Sequence, residues 1–121
     1  MFRITLFLVL FTAFSVNACS YDSTDAVTKE EIAQVKEELV IIDVRTNMEF
    51  KMGHIDGALL IPYNQIGSKI KNEVPDKSIP IALYCRTGRR SGIAKRTLLD
   101  MGYANVMDLG AMGQAKQKLD K

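Results

Sequence analysis

The sequence predicts an α/β domain: a mostly parallel central sheet flanked by helices on both faces. Three observations predict it. Leu39-Val40-Ile41-Ile42-Asp43-Val44 is a continuous, largely β-branched apolar run, the pattern of a strand buried on both faces in a parallel sheet. Three further apolar runs, at residues 58–61, 79–84 and 105–109, alternate with stretches of helical spacing, and such alternation builds crossover units. A chain of 121 residues, 47% hydrophobic and 25% charged, suits one domain around one core.

The elements follow in order. Residues 19–27 form a mostly small and polar tether, and residues 28–121 the domain. Thr28-Lys29-Glu30-Glu31 matches a capping box, and Ile32, Val35 and Leu39 follow at helical spacing. The first strand is the run 39–44. Residues 47–52 form a short helical turn ended by Gly53. The second strand, 58–61, is stopped by Pro62. Residues 63–71 form a helix, with Ile66 and Ile70 four apart. Pro75-Asp76-Lys77-Ser78 is turn chemistry. The third strand, 79–84, hands over through a short loop to a helix reaching Met101, with Gly102 as its stop. The fourth strand is 105–109. Gly110 and Gly113 mark a turn, and residues 114–119 a last short helix. Internal repeats and low-complexity tracts are absent from the sequence.

Residues 1–18 have the pattern of a secretory signal peptide. Met1-Phe2-Arg3 is a short positive start, and residues 4–14 are an apolar core of 11 residues. A bilayer span takes about 20. Val16 and Ala18 place small residues before the cut. Val16-Asn17-Ala18-Cys19 also resembles a bacterial lipobox, in which the cysteine becomes the lipidated first residue. Cleavage after Ala18 without lipid fits nearly as well. The expected location is the cell envelope, periplasmic, with Cys19 as a candidate lipid anchor; we favour the lipoprotein form. A lipidated Cys19 leaves Cys85 without a disulfide partner, and an unpaired thiol in an exported protein marks a reactive group.

The chemistry is concentrated at Cys85-Arg86-Thr87-Gly88-Arg89-Arg90-Ser91. A lone cysteine sits where a strand hands over to a helix, in a loop with three arginines. The carboxyl end of a strand is where open α/β sheets place their ligands. A helix N-terminus aims backbone N–H groups at an anion, and a thiolate is one. Helix end and arginines together are expected to lower the Cys85 pKa and make it a nucleophile. The formal net charge of +2 falls to +1 without Arg3, leaving 15 basic against 14 acidic residues. That balance speaks against a nucleic-acid partner and for a small anionic ligand at Arg86, Arg89 and Arg90. One His and one available Cys cannot supply a structural metal site.

Several segments carry a family resemblance. Ile42-Asp43-Val44-Arg45, Glu49-Phe50 and Gly53-His54-Ile55-Asp56-Gly57-Ala58 resemble the first signature of rhodanese domains. Residues 85–91 resemble their active-site loop, and Met101-Gly102-Tyr103-Ala104-Asn105-Val106 the segment after the active-site helix. The likeness covers residues 28–119 and is greatest to exported, single-domain, phage-shock-type thiosulfate sulfurtransferases. One departure is Leu109-Gly110-Ala111-Met112-Gly113, which replaces paired glycines followed by a Trp-containing helix.

The resemblance implies a rhodanese-like fold and a thiosulfate sulfurtransferase that needs no cofactor and no metal. Cys85 is then the catalytic nucleophile. It takes the outer sulfur of thiosulfate, becomes a persulfide, and passes the sulfur to cyanide or a thiol. Arg86, Thr87, Gly88, Arg89, Arg90 and Ser91 are the substrate-binding loop, with Asp43 and Arg45 in support. His54, the only histidine, is expected to be structural, and Met48, Met52 and Met101 to fill core. Two rival functions differ in kind. A persulfide carrier keeps the same loop without turnover. A cysteine-loop phosphatase or arsenate reductase needs Arg at the sixth position after Cys, where this chain has Ser91.

Overall fold

The computed structural model describes residues 27–30, 32 and 38–120. The expected signal peptide, the tether up to residue 26, the Glu31 half of the first capping box and Val35 lie outside the described residues. Lys29, Glu30 and Ile32 are helical, and Ile32 N–H donates to the Thr28 carbonyl at 3.3 Å. Four strands follow, β1 (Val40–Asp43), β2 (Leu59–Leu60), β3 (Ile81–Cys85) and β4 (Val106–Ala111), with helices α1 (Asn47–Met52), α2 (Ile66–Glu73), α3 (Arg89–Asp100) and α4 (Met112–Leu119). The sheet is all parallel in the order β2-β1-β3-β4. Among the described residues, no helix is long and apolar enough to cross a membrane.

Strand β3 is central and wholly buried, so its two faces enter two cores. Ile81, Leu83 and Cys85 pack with Ile66 and Ile70 of α2 and Ala94 and Leu98 of α3. Ala82 and Tyr84 pack on the opposite face with Ile55, Leu109 and Ala115 of α4. The period-two alternation of a strand thus covers each face with its own helices, as the α/β reading requires. Each fully buried Ile or Leu contributes about 1.5–3 kcal/mol of transfer free energy.

The boundaries follow local chemistry. Helix α1 opens on a capping box: Thr46 Oγ1 accepts from Glu49 N–H, and the Glu49 carboxylate accepts from Thr46 N–H at 3.0 Å. Gly53 ends it. Asp76 Oδ1 accepts from Ser78 N–H and Oγ at 2.9 and 2.6 Å, which makes the expected turn. Helix α2 starts at Ile66, three residues later than its periodicity suggests, because residues 62–65 form a turn closed by Gln65 N–H on the Pro62 carbonyl.

Two expectations are corrected. Gly110 and Gly113 do not mark a turn. Gly110 lies within β4, at φ +78°, with its N–H on Asp108 Oδ1 at 2.9 Å, and Gly113 lies within α4. The strand extends because its register against β3 shifts between Leu83 and Cys85, an irregularity a glycine absorbs. The other correction concerns Met48 and Met52, which are 75% and 84% exposed. They point outward because α1 turns its Phe50 face to the core. Met101 packs against the core as expected.

Candidate active site

The site is built where β3 ends. Cys85 is its last residue, three loop residues follow, and α3 begins at Arg89. Gly88 is the N-cap at φ +96°, a left-handed conformation that only glycine adopts without strain. It directs its N–H onto Cys85 Sγ at 3.0 Å. The backbone of Gly110 lies against this residue: a Cβ on Gly88 would stand 3.7 Å from Gly110 Cα. The β4 segment that departs from the family pattern therefore backs the loop.

Ser91, in the first turn of α3, is buried. Its hydroxyl donates to the Gly88 carbonyl at 3.0 Å and lies 3.6 Å from Cys85 Sγ. A hydroxyl has one proton and can turn. Beside a thiol it accepts from sulfur; beside a thiolate it can swing from the carbonyl to the sulfur.

Burial pushes the Cys85 thiol up, but hydrogen bonds from the Ser91 N–H, the Ser91 hydroxyl, and the Thr87 and Gly88 N–H groups outweigh it, and the net direction is down. Charge attraction between Arg90 and Cys85 also favours the thiolate, so one of the three arginines takes the share the sequence assigns to them. Backbone amides and one hydroxyl stabilise the thiolate, as donors to the charged form do.

The three arginines are unlike one another. Arg86 and Arg89 are exposed, and no ion pair holds either among the described residues. Arg90 is engaged: its Nη1 and Nη2 donate to Glu49 Oε2 and Oε1, each at 2.8 Å. Thr87 is exposed at the loop tip.

Asp43 and Arg45 lie beneath the site, at the end of β1. Asp43 is fully buried and accepts from Arg45 N–H at 2.9 Å, from Arg45 Nε and Nη2, and from Tyr84 Oη at 2.9 Å. Arg45 also donates to the Gly53 carbonyl at 2.7 Å. Tyr84 Oη accepts from Ile55 N–H at 3.0 Å, and burial, the largest influence, pushes its phenol up to about 12. Register explains the pairing: Asp43 stands opposite Tyr84 across β1 and β3. His54 is exposed, stacked on Phe50 with ring centroids 3.7 Å apart.

Sequence reasoning missed Glu49 and Tyr84 as partners of the site. Thr46-x-x-Glu49 is a capping-box signature that was there to find, and Tyr84 shares its strand face with Ala82.

Known proteins place this geometry. The Rhodanese-like domain family model matches residues 26–112. Thiosulfate sulfurtransferase PspE of Escherichia coli is 39% identical over 71 residues, 59% of this chain and 68% of that one. Putative sulfur carrier protein YrkF of Bacillus subtilis is 32% identical over 95 residues, 78% of this chain and half the length of that relative. A solved rhodanese with anions from E. coli superposes with a TM-score of 0.61 at 37% identity, over 63% of this chain and 89% of that one. With its parallel sheet and its cysteine loop at the end of β3, the chain belongs to the rhodanese-like domain family.

Proposed function

We propose that this protein is a thiosulfate sulfurtransferase in which Cys85 carries the sulfur. The observation that carries the reading is the Cys85 sulfur under the first turn of α3, with Gly88 N–H at 3.0 Å and Ser91 Oγ at 3.6 Å. The thiolate attacks the outer sulfur of thiosulfate, the S–S bond breaks, and sulfite leaves with its electron pair. Cys85 is left as a persulfide anion, held by the amides that held the thiolate. Cyanide or a thiolate then attacks the outer persulfide sulfur and restores Cys85. The hydrogen bonds on Sγ favour the thiolate, and attack by a thiolate needs no general base. Three loop residues before α3 make a cradle for one sulfur atom and not for a tetrahedral oxyanion, which disfavours phosphatase chemistry. A persulfide carrier is the second reading, favoured by the likeness to a putative sulfur carrier. Steady turnover with thiosulfate and cyanide supports the enzyme. One sulfur loaded without turnover supports the carrier.

Arg86 and Arg89 are the cations left to bind the sulfonate end of thiosulfate. Replacing either with Ala is expected to lower kcat/KM for thiosulfate about tenfold or more, the loss of one charge-assisted contact of about 1.4 kcal/mol. Unchanged thiosulfate kinetics in both variants would remove thiosulfate as the donor.

We also propose that export removes residues 1–18 and that Cys19 becomes the lipidated N-terminus of an envelope protein, from the short apolar core and Val16-Asn17-Ala18-Cys19. The intact mass of the mature protein checks this. An unmodified Cys19 keeps export and discards the anchor, whereas retention of Met1 discards both.

A further inference from the structure

Glu49 makes two connections at once. Its carboxylate closes the α1 capping box, Oε2 accepting from Thr46 N–H at 3.0 Å and Thr46 Oγ1 at 2.9 Å. The same carboxylate takes both Nη groups of Arg90, the second residue of α3, across 41 positions of sequence. Both partners are largely covered, with side chains 17% and 25% exposed. A two-point contact of this kind fixes the guanidinium plane as well as its position.

The consequence is electrostatic. The Cys85 loop carries three arginines, and a carboxylate neutralises one of them. Arg90 also feels the charges of Cys85 and Asp43, and Arg45 that of Glu49; Asp43, Arg45 and Tyr84 are joined to one another, and Arg86 and Arg89, close to Arg90 in sequence, are exposed. Resting on the sulfur-transfer reading of Cys85, we infer that Glu49 is the positioning residue that sets the free charge of the donor site: it holds Arg90 in place and masks it, leaving Arg86 and Arg89 as the two cations that meet the donor. The donor thiosulfate and the leaving sulfite are both anions. A third free cation beside Cys85 would hold both more tightly, and slow release of sulfite would limit turnover. The Glu49 carboxyl lies well below the usual carboxylate range, chiefly through its bond to Arg90, so the mask stays charged at neutral pH.

The test measures charge at Cys85 without requiring sulfur transfer. Iodoacetate and iodoacetamide are similar in size and both react with the thiolate, but only the first is an anion. The ratio of their rates at Cys85, read by peptide mass on the intact protein, reports local potential and cancels both access and thiolate fraction. Glu49→Gln is expected to raise the ratio about threefold, one unmasked charge in a partly solvated cleft. Arg90→Gln is expected to lower it, Glu49→Gln with Arg90→Gln to return it near the native value, and Glu49→Asp, which keeps the charge, to stay near native. In the thiosulfate assay Glu49→Gln should lower KM and kcat together. A folded Glu49→Gln protein with the native ratio overturns the inference. If Glu49→Gln does not fold, an unchanged ratio in Arg90→Gln overturns it instead. Absence of any Cys85 persulfide in the native protein fails the sulfur-transfer reading and leaves the ratio to judge Glu49 separately.

Discussion

Cys85→Ser is expected to abolish sulfur transfer, a loss of about 10³-fold or more, while the domain stays folded. The two halves of this result have separate causes. Sulfur attack on a sulfane sulfur needs a soft, ionised nucleophile, and a serine hydroxyl at neutral pH is neither. Folding survives because the site is already polar enough for oxygen: Gly88 N–H at 3.0 Å and Ser91 Oγ at 3.6 Å stand ready to satisfy it. Unfolding in urea should therefore change by only about 1 kcal/mol. In the native protein, thiosulfate should add the mass of one sulfur atom to the peptide carrying Cys85, and cyanide should remove it. The pH dependence follows from the thiolate. Alkylation rises with the ionised fraction and is half-maximal at the thiol pKa. Since the hydrogen bonds on Sγ lower that pKa, half-maximum should come at a lower pH than for an ordinary cysteine thiol. Full activity in Cys85→Ser, or hydrolysis of phosphate esters by the native protein, would overturn this reading.

The Cys85 loop was legible because every part of it is local. A buried strand, a cysteine, a glycine and a helix start in one short stretch imply amide N–H groups aimed at one atom, and the structure has Gly88 N–H on Cys85 Sγ. The parallel sheet was legible for a similar reason, since β1 and β3 are apolar on both faces. What escaped depends on pairs distant in sequence. Glu49 and Arg90 meet across 41 positions, as do Asp43 and Tyr84, and no local pattern announces either meeting. Counting three arginines beside a cysteine does not reveal that one of them, Arg90, has a carboxylate partner on another helix. Gly110 reads as a turn in the sequence because glycine marks turns more often than strand irregularities. Residue type alone sends Met48 and Met52 to the core, but it does not say which side of a six-residue helix faces the sheet.

Asp43→Ala is expected to cost about 3–5 kcal/mol, the usual loss when one partner of a buried ion pair is removed. Asp43 is fully buried, and four donor groups converge on it: the Arg45 N–H, Nε and Nη2, and Tyr84 Oη. Alanine leaves the buried Arg45 guanidinium with the Gly53 carbonyl alone and leaves the Tyr84 hydroxyl without its acceptor. A small domain holds about 5–15 kcal/mol in all, so the variant should melt in urea at well under the native midpoint. Asp43→Asn keeps the shape and two lone pairs and should lose less. Asp43→Ala with Arg45→Leu should recover part of the loss, because most of it comes from the stranded charge and not from the missing bond. Activity should fall as well, since Tyr84 immediately precedes Cys85 and the network holds the ends of β1 and β3 in register. A loss below about 1 kcal/mol in Asp43→Ala would mean that water reaches Arg45, and that the end of β1 is held by strand pairing instead of by this carboxylate.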